Sequence, residues 1–132
     1  MPPAVCRALI AALCLPLAAF FGFVGWYKAF ATLADLAAHN AFTIHLPVLL
    51  GKALGWFEMA GALVLVLGSI FGRLRRTQIS FALALAAEQI VSSLIHWRHG
   101  ELGMIGQNSL LIAALLAIAL LGRRLLSLPA GA

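Results

Sequence analysis

Charge is what this sequence has least of. Only 10% of its residues are Asp, Glu, Lys or Arg, and only four residues are acidic. Ordinary soluble domains carry about 25% charged residues. Hydrophobic residues make up 64% of the 132 positions. A domain of this size leaves roughly a third of its surface in water, so no soluble fold hides that much apolar area. A soluble enzyme, a nucleic-acid-binding module and a disordered linker are thereby excluded. Alternation of polar and apolar residues is missing too, which excludes a membrane β-barrel. Cysteine is scarce: Cys6 and Cys14 stand eight positions apart, about 12 Å along one helix. That exceeds the ~7 Å limit for a disulfide, so both read as apolar fillers. His39, His45, His96 and His99 have no organised ligand spacing, and no metal is expected. A flavin, nicotinamide or iron–sulfur signature is likewise missing, so the chain carries no intrinsic cofactor and is not a stand-alone redox enzyme.

What the sequence does have is four long apolar runs, at about 8–27, 53–72, 77–97 and 104–122. Each approaches the ~20 residues that span a bilayer as a helix. The second run can also start as early as Pro47, which suits a first helical turn. Backbone polar groups in hydrocarbon must be satisfied within their own element, so all four are helices. The expected fold is all-α: one membrane domain over residues 1–132, an integral four-helix bundle in the lipid bilayer. The first run reads as an uncleaved helix, because no small-x-small site followed by a polar chain closes it.

Basic residues set the expected orientation. Arg7, Arg73, Arg75, Arg76, Arg123 and Arg124 fall on one side, and Lys28, Lys52 and Arg98 on the other. The positive-inside rule places both termini in the cytoplasm. Within the first outer loop, Phe30, Leu33, Ala34, Leu36 and Ala37 recur at helical spacing. They predict a short amphipathic helix on the membrane surface, stopped at Asn40. Trp26, Tyr27, Trp56 and Trp97 predict an interfacial belt.

Candidate chemistry rests on the ionisable groups at depth, since each costs at least ~2.5–3.5 kcal/mol at the bilayer centre. Glu58 lies roughly 9 Å and Glu88 roughly 13 Å below the outer boundary. Gly51, Gly55, Glu58 and Ala62 form one stripe, whose small residues aim Glu58 into the bundle. Gly68 and Gly72 repeat the pattern below it. Glu88, Ser92 and His96 stack at successive i+4 positions, with Gln89 and Ser93 beside them. Gln107 and Asn108 open the fourth helix opposite His96. The pocket candidates are therefore Lys28, Glu58, Glu88, Ser92, His96 and Asn108, gathered in the outer half. Lys28 is the expected partner of Glu58. His96 is the same-face candidate for Glu88 but sits roughly 12 Å outward, which leaves Glu88 with no cation in reach. Taken singly, Ser92, Ser93, Gln107 and Asn108 are as readily interhelical glue, and Asn108 a helix cap.

The order of short motifs adds a family likeness. Gly25-Trp-Tyr-Lys28 closes the first helix, Leu46-Pro47 precedes the second, and Glu58-x-x-Gly61 lies within it. His96-Trp-Arg-His-Gly-Glu101 follows the third. From about Phe20 to Gly122 the chain resembles the DoxX-like family of small four-helix membrane proteins. The resemblance implies a multi-pass protein of the bacterial inner membrane, linked through a redox partner subunit to quinone-dependent oxidoreduction or oxidative stress. The long loop with His39-Asn40 and His45, and the Glu88-Gln89 pair, do not map onto that pattern.

Two other functions compete with a quinone pocket. A small proton-coupled exporter would use a buried acid to trade a proton for a cationic solute. The first helix has no carboxyl, unlike the four-helix multidrug exporters, and Glu88 would have to serve. A structural scaffold, alone or as a homo-oligomer, would use the pocket only to pack helices.

Overall fold

The computed structural model describes residues 1–129. Five α-helices occur among them: α1 (Pro3–Phe30), α2 (Leu33–Ala38), α3 (Val48–Ile70), α4 (Arg75–Arg98) and α5 (Ile105–Leu126). All but α2 are long and apolar enough to cross a membrane. They form a ring in which α1 packs on α3, α3 on α4, α4 on α5, and α5 back on α1. The core is built on Ile10, Cys14, Leu17, Phe21, Leu65, Leu85, Leu115 and Ile118, with Ala62, Ala82, Ala86 and Leu111 among them. The outside is apolar as well. Leu15, Phe23, Leu49, Trp56, Leu63, Ile70, Trp97, Leu110 and Leu120 are all more than half exposed. Such a surface calls for lipid, and the architecture is that of a multi-pass membrane protein.

The helices overrun their sequence limits for local reasons. Pro3 occupies the first position of α1, where a missing N–H costs nothing, and the helix continues through Pro16 to Phe30. Helix α3 takes the earlier of its two predicted starts, with Pro47 as its N-cap. Phe30, read from sequence as part of the loop helix, belongs to α1. The loop helix is only the six residues of α2, which buries Leu36 alone. It does stop at Asn40, whose φ of 54° turns the chain. The Ala41 N–H reaches the Leu36 carbonyl at 3.0 Å and the Asn40 N–H reaches Ala37 at 3.2 Å. This double closure is a Schellman motif. It sends the following 3₁₀ turn, Phe42–His45, back into the bundle with Phe42 and Thr43 buried.

Close helix approach is confined to a few glycines. A Cβ on Gly25 would lie 2.5 Å from the Gly55 carbonyl oxygen and 2.9 Å from Glu58 Cβ. A Cβ on Gly55 would lie 2.5 Å from the Gly25 oxygen and 3.0 Å from Lys28 Cβ. These two residues let α1 and α3 touch backbone to backbone, next to Lys28 and Glu58. Gly68 makes room for Gln78, whereas Gly72 has nothing near it and takes no part in packing.

Candidate functional site

Backbone contact at Gly25 and Gly55 brings Lys28 of α1 against Glu58 of α3. Lys28 Nζ donates to Glu58 Oε1 at 2.6 Å, and both side chains are buried. Glu88 of α4 approaches from the other side, its Oε1 3.8 Å from the same ammonium. The expectation that Glu88 lacks a cation is thus corrected. Its position was judged along the α4 axis, but the nearest charge comes across the bundle from α1. His96 is not its partner either. At an effective dielectric of ~20, the gross attraction of Lys28 is roughly 6 kcal/mol to Glu58 and roughly 4 kcal/mol to Glu88. Lys28 also lies 4.6 Å from the centroid of the Phe42 ring, a cation–π contact that caps the cluster.

One ammonium neutralises one carboxylate. The second carboxyl brings the cluster either a net negative charge or a proton. Three of the four carboxyl oxygens (Glu58 Oε2 and both of Glu88) have no hydrogen-bond donor. Unfilled acceptors at this depth are costly to leave unmade, and they mark where a donor would be held.

A cavity of about 270 Å³ adjoins the cluster. Lys28, Glu58, Gln89, Ser92, His96 and Asn108 contribute its polar wall, and Phe20, Phe23, Val24, Phe42 and Met104 its apolar wall. Five of the six pocket candidates therefore share one space. Glu88 is the exception: it borders an apolar groove of about 450 Å³ with Leu46, Leu50, Leu54, Phe57 and Val91. Asn108 is not a helix cap. It lies inside α5 and donates to Ser92 Oγ at 3.1 Å, fastening α5 to α4. Ser93 faces its own helix, donating to the Gln89 carbonyl.

Sequence reasoning missed the partner of His96. Helix α4 ends in a second Schellman motif, with the Glu101 N–H on the His96 carbonyl at 2.8 Å and the Gly100 N–H on Trp97 at 3.1 Å. Gly100 supplies the required left-handed residue at φ 72°. The reversal folds the Glu101 side chain back over the helix end, where Oε2 lies 2.6 Å from His96 Nδ1. Its Oε1 lies 3.2 Å from His45 Nε2. Hydrogen bonding to His96, and then to His45, holds the Glu101 carboxyl below its ordinary range. The signal was present as His96 followed five residues later by an acid, with a glycine just before it. Tyr27, whose hydroxyl meets His39 Nδ1 at 3.0 Å, closes the cavity on the α2 side.

Comparison of the chain with protein-family models, with curated proteins and with solved structures gave no match.

Proposed function

We propose that the chain is an accessory membrane subunit that holds the head group of a lipophilic quinone or quinol for a partner redox enzyme. The observation that carries this reading is the buried Lys28–Glu58–Glu88 cluster beside a cavity walled by both polar and apolar side chains. The volume is near the small end of the ~300–1,000 Å³ range of ligand pockets and suits a single substituted ring. Interconverting quinone and quinol moves protons with electrons, so acid and imidazole groups near the membrane boundary are the chemistry such a head group needs. Electrons come from the partner. The DoxX-like motif order supports the same reading, and with it a place in the bacterial inner membrane.

Both termini lie on the cytoplasmic side in this proposal. Arg75 and Lys28 are buried, which leaves Arg7, Arg73, Arg76, Arg123 and Arg124 against Lys52 and Arg98 as exposed topology signals. The positive-inside bias survives. In nanodiscs, a decyl-tailed benzoquinone and its quinol form are the probes. Saturable binding of at least one, weakened by Lys28→Met, is the expected result. Binding of neither, with no redox subunit co-purifying from native membranes, overturns the proposal.

One observation favours a second reading. A cluster with two carboxyls and one ammonium, three of its oxygens undonated, also suits a cationic solute exchanged for a proton. Proton-gradient-driven uptake of an organic cation into vesicles, abolished by Glu88→Gln, would replace the first proposal with this one.

A further inference from the structure

Three helices bring one ammonium between two carboxyls, and the charges of the cluster do not balance as they stand. Lys28 Nζ donates to Glu58 Oε1 at 2.6 Å, while Glu88 Oε1 lies 3.8 Å away, beyond hydrogen-bond distance. All three side chains are more than nine-tenths buried. Among the described residues no other cation pairs with either carboxyl. Lys52 is exposed, and His96 is engaged with Glu101. Helix α5 and the 3₁₀ turn bring only neutral groups to this space: Met104, Gln107, Asn108 and Phe42. Were both carboxyls ionised, the cluster would bury an uncompensated negative charge, and two carboxylates sharing a buried site do not both stay charged.

Glu58 and Glu88 are also within hydrogen-bond reach of each other. Two carboxylates offer only acceptors, so a bond between them requires a proton on one. Glu58 holds the ammonium on Oε1 and is the carboxyl to stay ionised. Its Oε2 is buried and accepts nothing from Lys28, Gln89, Ser92 or Asn108, although each brings a donor to the same cavity. Glu88 is farther from Lys28 and is the carboxyl to carry the proton. We infer that Glu88 is a carboxylic acid at neutral pH and donates its proton to Glu58 Oε2. The cluster then sums to zero: one ammonium, one carboxylate and one acid. The bonded pair also joins two spaces, because Glu58 lines the cavity and Glu88 borders the apolar groove. It is a store for one proton, placed where a cavity ligand meets its Glu58 end.

Infrared spectroscopy of the ligand-free protein, in detergent micelles without ester groups, tests this at pH 7. Glu58, Glu88 and Glu101 are the only glutamates and Asp35 the only aspartate, so a protonated-carboxyl band is assignable. The wild type is expected to show one such band, shifting in D₂O. Glu88→Gln removes the acid and the band with it. Glu58→Gln removes the band too, because Glu88 is then the only carboxylate left to pair with Lys28. Glu101→Gln leaves it unchanged. Absence of the band in the wild type, with water feeding Glu58 Oε2 instead, overturns the inference, and so does a band that survives either cluster variant. Should a variant fail to fold, the wild type labelled with ¹³C-carboxyl glutamate still decides. One acid shift and two carboxylate shifts are expected, and three carboxylate shifts overturn it. The inference does not depend on the quinone reading: failure to bind quinone or quinol strikes that reading and leaves the proton in place.

Discussion

The bundle buries two polar clusters, one in each half, and they differ in what they leave undone. Next to the short turn after α3, Arg75 donates to Gln78 Oε1. Gln78 Nε2 is surrounded by the Leu65 carbonyl at 2.7 Å, Ser69 Oγ at 3.0 Å and Cys14 Sγ at 3.3 Å. None of these side-chain atoms is buried without a partner. In the loop half, by contrast, three carboxyl oxygens lack donors and a cavity lies alongside. A satisfied network rigidifies its surroundings, while an unsatisfied one keeps a capacity in reserve. The first reads as a fastening of α1, α3 and α4, and the second as a site.

The largest expected effect breaks the loop-half cluster outright. Lys28→Met leaves two buried carboxyls without their cation, and removing one partner of a buried pair costs about 3–5 kcal/mol. Gln78→Leu in the other half should cost about 1–3 kcal/mol, because it strands the hydrogen bonds of neutral groups and one guanidinium N–H. Denaturant unfolding in micelles compares them directly. If Gln78→Leu proves the costlier, the contrast between site and fastening is inverted.

Next in size come the glycines that let the site form. Gly25→Ala and Gly55→Ala each drive a methyl group against a backbone oxygen, and overpacking of this kind costs about 1–3 kcal/mol. Gly72→Ala meets nothing within 4 Å and should change stability by less than about 0.5 kcal/mol. The helix-proximal glycines should also loosen the Lys28–Glu58 contact and lower quinol affinity. Equal effects at all three positions would mean that close approach of α1 and α3 does not build the site.

The two carboxyls sharpen the comparison further. Glu58 is fully buried with a 2.6 Å bond to Lys28, whereas Glu88 lies 3.8 Å from the same ammonium. Glu58→Gln should therefore cost about 1.5–3 kcal/mol, the worth of a hydrogen bond to a charged group. Glu88→Gln should cost less than about 1 kcal/mol and leave the fold intact, since it changes the carboxyl that lies farther from Lys28. Thermal unfolding of the two variants ranks them, and a larger loss for Glu88→Gln would refute the assignment of Lys28 to Glu58.

How much of this the sequence showed depends on whether the interaction is local. The four spans were legible because apolar length is a property of consecutive residues. The Lys28–Glu58 pair was legible because both residues sit near the outer ends of helices expected to be adjacent. The approach of Glu88 to Lys28 was not, since periodicity along α4 says nothing about which helix faces it across the bundle. Arg75 counted as a turn charge, yet it is folded inward by its bond to Gln78. Cys14 was taken as a filler, but its sulfur accepts from Gln78. Phe42 carried no periodic signal at all, because a Schellman reversal at Asn40, not a helix face, turns it into the site.

Glu101 gives the smallest effect and the one with a definite sign in pH. His96 first, and His45 after it, hold its carboxyl below the ordinary 4.5 in the folded protein. A group whose folded pKa is depressed contributes stability that is fully present above its unfolded pKa and lost as pH falls through the folded one. The window of loss therefore lies below pH 4.5, not in the neutral range. With a quarter of its side chain exposed, Glu101 is partly screened by solvent, so the stability difference is small. The melting temperatures of the wild type and Glu101→Gln should differ slightly at pH 7, with the wild type higher. That gap should not shrink down to about pH 4.5 and should close below it. A gap that closes between pH 6 and 5 would show that the carboxylate is not held by the two histidines.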